Sequence, residues 1–209
     1  MSVERGTQAM LVRRREILAQ GAEALGWKIG FNVPAMQEKL GIDRPLAGFL
    51  TTDALLEDGA KVSLEGPLMA ESEVAVELAD DARSTAALLP ALELTDPPDL
   101  DLGVERILAG NIFHRAVAFG PRAETAAPGA ARILVNGSVQ HSLGAEEAGA
   151  HLAEMVDAVA GRLADAGEEL RPGDRIITGV LAPPHSAEPG DTVRLELEAV
   201  GAVELHFAA

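Results

Sequence analysis

The sequence predicts an α+β protein, with one mixed, β-rich domain and a short N-terminal helical segment. Residues 71–78 alternate between apolar and polar side chains, which is the pattern of a strand. Strand-like runs dominate the chain after residue 116, and residues 7–24 and 145–166 show helical spacing. We therefore expect residues 1–48 to form a helical segment packed on the core and residues 49–209 to form the β-rich domain.

The N-terminal segment contains two predicted helices with a short strand between them. Residues 7–24 form an amphipathic helix with a basic middle, and residues 27–31, WKIGF, favour a strand that bears Lys28. The second helix begins at Pro34, which suits a first helical turn, and ends before Gly41, which suits a C-terminal cap.

The β-rich domain is predicted from strand-like runs separated by turn residues. The segment TDPPDLDLG is rich in Pro and Asp and favours a loop, whereas residues 145–166 favour one long helix. The apolar or alternating runs are VSLEGPLMAESEVAVEL, LLPALEL, AVAFG, ARILVNGSVQHSLG with its Asn-Gly turn, DRIITGVL and TVRLELEAVGAVELHFA.

Composition narrows the class of partner. The chain has 209 residues, of which 47% are hydrophobic, and a formal net charge of −16. Such a charge is repelled by phosphate backbones and anionic lipid surfaces, so neither nucleic acid nor a membrane is an expected partner. There are no cysteines, and the polar N-terminus lacks the apolar stretch of a signal peptide, so we expect a cytoplasmic protein.

Three glutamates form the main candidate site. Alternate strand residues point to the same side, so the carboxylates of Glu71 and Glu73 should project together, and Glu77 continues this acidic face. The alternative is a solvated outer face of an amphipathic strand. Glu93, however, lies in the apolar segment PALEL, where an ionised carboxylate needs a basic side chain or a metal as partner. Without Cys or clustered His, three carboxylates favour Mg²⁺ or Mn²⁺ over zinc or copper.

A lysine and two histidines are further candidates for chemistry. Lys28 is flanked by apolar residues, and either its amine reaches a pocket or an anion, or its stem covers apolar surface while the amine stays in water. Of five scattered histidines, His114 and His185 lie in segments placed for chemistry, although a structural role is the alternative for each.

Four segments, in the same order, resemble a known family. They are GWKIGFNVPAMQEKLGIDRPLAGFLT, AESEVAVEL, LPALEL and LRPGDRIITGVL. Together they are similar to the 2-oxopent-4-enoate hydratase and 4-oxalocrotonate decarboxylase family, part of the fumarylacetoacetate hydrolase superfamily. The resemblance implies a mixed, curled β-sheet barrel of the type found in the C-terminal domain of that superfamily, with residues 49–209 as the catalytic domain.

The resemblance also implies roles for individual residues. The divalent metal, Mg²⁺ or Mn²⁺, would be held by Glu71, Glu73 and Glu93, and Lys28 matches the active-site lysine. The positions that match or replace residues near the substrate are Thr178, Gly179, Asn111, Leu46 and Asn32. Leu46 stands where hydratases of the family have an Asp, and Asn32 stands where relatives often have Thr.

The implied activity is that of a metal-dependent lyase that stabilises the enolate of a small 2-oxo acid, as in aromatic catabolism. Hydration and decarboxylation both remain open, and Leu46 in place of an acid tilts the expectation slightly toward decarboxylation. The alternatives are hydrolysis of a C–C bond in an acylpyruvate and a non-catalytic relative that serves as a scaffold or partner subunit. Family habit and the apolar strand-rich segments favour a homo-oligomer.

Overall fold

A computed structural model describes residues 2–209 of the chain. Its helices are α1 Ser2–Ala19, α2 Pro34–Leu40, α3 Gly103–Ala109, α4 Ala145–Ala148 and α5 Leu152–Asp165, with short 3-10 helices at Thr52–Ala54 and Leu100–Leu102. Its strands are β1 Ala24–Gly30, β2 Leu46–Thr51, β3 Leu55–Leu56, β4 Lys61–Ser63, β5 Met69–Leu78, β6 Thr85–Thr95, β7 His114–Phe119, β8 Ala131–Val135, β9 Ser138–Leu143, β10 Arg175–Val180, β11 His185–Ser186, β12 Thr192–Leu197 and β13 Gly201–Ala208.

The strands form two mixed sheets. The larger has eight strands in the order β2-β1-β10-β5-β6-β7-β3, with β11 paired to β5, and the smaller has the order β4-β13-β12-β8-β9. Most neighbours are antiparallel, but β1 runs parallel to β10, β3 to β7 and β4 to β13. The mixed α+β architecture predicted from the sequence is confirmed.

The larger sheet curls strongly. The strands β1 and β6 are separated by β10 and β5, which in a flat sheet would hold them about 14 Å apart. Lys28 on β1 nevertheless donates a hydrogen bond to Glu93 on β6. Asn111, just before β7, likewise bonds to Phe49 on β2. These contacts between distant strands require the sheet to close into a half-barrel, as predicted.

Both faces of β5 and β6 are buried. Val74, Val76 and Leu78 pack in the main core with residues of β12 and β13. On the opposite face, a smaller apolar cluster fills the inside of the curl and contains Leu50, Ala75, Leu89, Ala91, Val117 and Ile177. The glutamates of β5 and β6 lie on this inner face, one or two residues from apolar neighbours. The fold therefore places them where water is largely excluded.

The structure corrects several element predictions. The helix expected over 145–166 is interrupted after Ala148, because His151 adopts a left-handed backbone with φ 63°. The proline-rich loop leads into a helix, α3, that the sequence pattern did not reveal. The predicted boundary at residue 48 falls inside β2. Residues 1–48 therefore contribute β1 and the start of β2 to the larger sheet, in addition to helices α1 and α2.

None of the helices between residues 2 and 209 combines the length and apolar composition that a membrane span requires.

Candidate active site

Glu71, Glu73 and Glu93 meet on the inner face of the larger sheet. Glu71 lies directly opposite Glu93 in the antiparallel pair of β5 and β6, and Glu73 lies two residues further along β5. One carboxylate oxygen from each comes within 4.8 Å of the others. Glu73 and Glu93 are only 1% and 0% exposed. The alternative of a solvated strand face is therefore wrong for these side chains.

Glu71 and Glu73, the two cluster carboxylates on β5, are each fixed by one protein donor. The Thr95 hydroxyl donates to Glu71 Oε1 at 3.0 Å, and the backbone N–H of Gly179 donates to Glu73 Oε2 at 2.7 Å. Gly179 has φ +100°, and a Cβ there would lie 2.5 Å from the amide nitrogen of Asn32. A glycine is therefore needed at this position, both for the backbone conformation and for the close approach of Asn32.

Glu93 is held through a single oxygen. Its Oε1 accepts from the ammonium of Lys28 and lies 2.7 Å from His114 Nδ1. Its Oε2 is buried and has no hydrogen-bond partner among the described residues. A buried carboxylate oxygen without a partner is costly unless a cation or another donor reaches it.

The electrostatics of the cluster are those of crowded, buried carboxylates. Burial, followed by repulsion from Glu93 and Glu71, raises the pKa of Glu73 well above its ordinary value. Burial and Glu93 also raise the pKa of Glu71. Burial alone would raise the pKa of Glu93 too, but Lys28 and His114 hold it below the ordinary value.

The donor set fits a hard divalent cation. Three ionised carboxylates and the ammonium of Lys28 leave an excess of two negative charges, which such a cation would neutralise. Oxygen ligands are those that Mg²⁺, Mn²⁺ and Ca²⁺ prefer. Glu93 Oε2 also supplies a buried ligand atom with no other partner.

A strained turn supports the site from the β7 side. Asn111, Ile112 and Phe113 all have left-handed backbones, with φ values of 61°, 53° and 62°. Such a value is a true outlier for a β-branched residue such as Ile112, and strain of this kind clusters at functional sites. The carbonyl of Ile112 accepts from Lys28 Nζ at 3.3 Å, so the turn helps to hold the lysine.

A cavity of about 260 Å³ opens beside the glutamates. Its polar lining comes from Lys28, Asn32, Glu71, Glu73, Thr95 and Asp96, together with the backbone of Gly179. Most other lining residues are apolar, including Phe31, Val33, Met36, Ile112, Phe113 and Val180. The cavity therefore has a charged group of residues on one side and an apolar wall around the rest.

The structure places three of the residues predicted to contact a substrate away from this cavity. The amide of Asn111 makes two hydrogen bonds with the backbone of Phe49, accepting from its N–H at 2.8 Å and donating to its carbonyl at 2.9 Å. The hydroxyl of Thr178 donates to the carbonyl of Val74 at 2.9 Å. Leu46 is buried in an apolar cluster that includes Ile107 of α3. None of the three is among the described residues that line the cavity.

The remaining predicted residues come together. Lys28, Asn32 and Gly179 line the cavity beside the glutamates. Gly48 permits this arrangement, because a Cβ there would lie 2.7 Å from Asn111 Oδ1 and 2.9 Å from Lys28 Cγ.

Two functional contacts, those of Thr95 and His114, were not predicted from the sequence. Thr95 follows Glu93 by two residues on the same strand, so the period-2 pattern could have placed its hydroxyl near Glu71. His114 was a candidate, but no sequence spacing connects it to Glu93, which lies 21 residues earlier. His185 lies apart from this cluster and bonds to Asp191 at 2.8 Å.

The chain resembles curated and solved proteins along most of its length, although no protein-family profile matches it. It is 30% identical to 2-hydroxyhexa-2,4-dienoate hydratase of Comamonas testosteroni, over 94% of this chain and 82% of the relative. It is 28% identical to 2-keto-4-pentenoate hydratase 2 of Dechloromonas aromatica, over 94% of this chain and 83% of the relative.

The fold is that of solved structures of 4-oxalocrotonate decarboxylase from Pseudomonas putida G7. The form complexed with calcium and acetate has a TM-score of 0.86 and 21% identity, over 97% of this chain and 84% of the other. The same protein has also been solved with magnesium and adipate, with a TM-score of 0.84. The curated matches and the shared fold together show that the chain belongs to the 2-keto-4-pentenoate hydratase and 4-oxalocrotonate decarboxylase family of lyases, within the fumarylacetoacetate hydrolase superfamily.

Proposed function

We propose that this protein is a lyase that binds a small 2-oxo acid in the 260 Å³ cavity and requires Mg²⁺ or Mn²⁺ held by Glu71, Glu73 and Glu93. The observation that supports this most strongly is the convergence of three carboxylates, one with a buried and unpartnered oxygen, beside a buried lysine. A bound divalent metal would act as a Lewis acid, polarising the keto group and stabilising the enolate.

Lys28 is the residue best placed to assist this chemistry. Its ammonium has three N–H donors, and the recorded partners are Glu93 Oε1 and the carbonyl of Ile112. Because Lys28 also lines the cavity, its remaining donor and its charge are available to a substrate carboxylate or an enolate oxygen. Asn32 lies on the same polar side and would orient the substrate, while the Gly179 N–H is already engaged by Glu73.

The apolar wall would receive the rest of the substrate. Phe31, Met36 and Phe113 present hydrocarbon surface to the cavity. Such a wall excludes water, which strengthens the interactions of Lys28 and the carboxylates with a bound anion.

The choice between hydration and decarboxylation depends on a water-activating acid. Leu46, at the position where hydratases of the family have an Asp, is buried in an apolar cluster. Apart from Lys28 and the metal-binding glutamates, Asp96 is the only charged residue among the described residues that line the cavity. Its carboxylate is paired with Arg115 at 3.2 Å. These two observations support the slight preference for decarboxylation over hydration.

The acylpyruvate hydrolase alternative requires a carboxylate–imidazole pair that faces water in the cavity. His114 and Glu93 form a carboxylate–imidazole pair, but this pair does not face the cavity. His114 is not among the described lining residues, and its side chain is 4% exposed. The geometry therefore gives this alternative less support. A non-catalytic scaffold remains the second alternative. Such a protein would show no turnover, whether or not it binds the metal.

Turnover assays separate these functions. The protein would be incubated with Mg²⁺ or Mn²⁺ and either 4-oxalocrotonate or 2-hydroxypenta-2,4-dienoate, while CO₂ release and loss of the diene absorbance are followed. We expect metal-dependent consumption of one substrate that stops in EDTA, with CO₂ release from 4-oxalocrotonate if decarboxylation dominates. Undiminished activity in EDTA, or no turnover of either compound, would contradict the proposal. The predicted homo-oligomer remains a prediction, which light scattering would test.

A further inference from the structure

His114 contacts the carboxylate of Glu93 from behind the cavity. Its Nδ1 lies 2.7 Å from Glu93 Oε1, and the two side chains are 4% and 0% exposed. The cavity is lined by its neighbours Ile112 and Phe113 but not by His114. His114 would therefore not contact a substrate in the cavity and could influence it only through Glu93.

The hydrogen-bond partners of the His114 imidazole indicate which ring nitrogen carries the proton. Its Nε2 is buried and has no partner among the described residues. With the proton on Nδ1, the ring donates to Glu93 Oε1 and leaves only a lone pair unpartnered at Nε2. The tautomer with its proton on Nε2 would bury an N–H without an acceptor, which is the more costly arrangement. The ring therefore serves as a donor to Glu93 through Nδ1.

The backbone around His114 is held in place independently of the ring. The N–H of His114 donates to the carbonyl of Asn111 at 3.1 Å, and the carbonyl of Phe113 accepts from the N–H of Asp96 at 2.9 Å. Asn111 is in turn pinned to Phe49 on β2. The strained turn therefore presents the imidazole to Glu93 at a set position.

We propose that His114 is a positioning residue for the metal site. Together with Lys28 it occupies Glu93 Oε1 and so fixes the carboxylate with Oε2 as the atom available to a cation. Lys28 alone could hold Oε1, but an ammonium on a flexible stem is a weaker constraint on orientation than a rigid ring on a fixed backbone. This inference rests on the proposed metal site and adds to it a residue that touches neither metal nor substrate.

Two variants of His114 and one control test the proposal. His114→Leu removes the donor and puts an apolar side chain of moderate size in place of the ring. His114→Asn retains an N–H close to the position of Nδ1. The control is His151→Leu, which removes an exposed histidine whose partner is Glu154 on the surface. Isothermal titration with Mn²⁺ would give the affinity, and thermal unfolding without metal would give the stability of each variant.

We expect His114→Leu to weaken Mn²⁺ binding by about 10- to 100-fold, as loss of an outer-sphere partner commonly does. His114→Asn should recover most of the affinity, and His151→Leu should match the wild type in Mn²⁺ affinity, although leucine is strained at this left-handed position and should lower the stability. Equal Mn²⁺ affinity in the wild type and His114→Leu would overturn the inference while leaving the metal site intact. Equal weakening in both His114 variants would also overturn it, since a role in filling space would then be sufficient. Absence of Mn²⁺ binding in the wild type would instead overturn the proposed metal site itself.

Discussion

Lys28 and Glu93 form a buried ion pair between strands that are not neighbours in the sheet. The two side chains are 3% and 0% exposed, and the strands β10 and β5 lie between β1 and β6. The pair therefore connects the N-terminal part of the chain to the centre of the carboxylate cluster, and the curl of the sheet makes this contact possible.

Removing Lys28 should destabilise the metal-free protein. Lys28→Met leaves three carboxylates, two of them fully buried, without a compensating cation, and breaking a buried pair in this way commonly costs about 3–5 kcal/mol. Urea unfolding would measure the loss, with Lys39→Met on the exposed end of α2 as control. Because a divalent cation would replace part of the missing charge, Mg²⁺ should stabilise Lys28→Met more than the wild type. Unchanged stability of Lys28→Met would show that the ion pair contributes little.

Neutralising one carboxylate of the cluster should remove activity. Glu93→Gln and Glu71→Gln should each abolish metal-dependent turnover, because losing an electrostatic contact that is made in the transition state commonly costs 100-fold or more in rate. Glu77→Gln is the matched control, since Glu77 lies on the same strand and face but pairs with Arg122 and Arg175. Full activity in either cluster variant, or an equal loss in Glu77→Gln, would contradict the assigned ligands.

The pKa of Glu73 predicts how the stability of the metal-free protein depends on pH. Burial and the neighbouring carboxylates raise this pKa well above its ordinary value, so folding favours the protonated form. The associated stability is present below the ordinary glutamate pKa and is lost as the pH rises through the folded-state pKa. Melting temperatures measured against pH should therefore fall for the wild type relative to Glu73→Gln as the pH rises.

Divalent metal should reverse this trend, because a cation favours the ionised carboxylates. The stabilisation of the wild type by Mg²⁺ or Mn²⁺ should increase with pH over the same range. Parallel melting curves for the wild type and Glu73→Gln at every pH would show that Glu73 titrates normally.

Asn111 should matter for folding rather than for substrate contact. Asn111→Ala leaves the buried N–H and carbonyl of Phe49 without partners, at about 1–3 kcal/mol for each group. Asn111→Gly provides the control for the left-handed backbone, which glycine adopts readily. Chemical unfolding should show both variants destabilised and Asn111→Ala more so. If Asn111→Gly equals the wild type, backbone conformation would account for the whole effect.

Much of the site could be predicted because it depends on short-range geometry. The period-2 alternation of a strand places Glu71 and Glu73 on one face, and Glu93 was conspicuous as a charge in an apolar run. Gly41 does cap α2 in the left-handed conformation, as its position after the helical segment indicated.

The remainder depends on contacts that no local pattern encodes. The partner of Lys28 is determined by the order of four strands and by their curl. Asn111 was assigned to the substrate, but the left-handed turn directs its amide to the backbone of Phe49. Leu46 became part of an apolar cluster because it is covered by α3, a helix that follows the predicted loop and was not itself predicted.

The most direct test of the central claim is calorimetric titration of the purified protein with Mn²⁺, followed by titration of the Mn²⁺-loaded protein with oxalate as an enolate mimic. Three carboxylates gathered within 4.8 Å beside Lys28 predict one Mn²⁺ per chain, and oxalate binding only when the metal is present. Glu93→Gln should lose both events. Absence of Mn²⁺ binding in the wild type, or the same Mn²⁺ and oxalate binding in Glu93→Gln, would contradict the account.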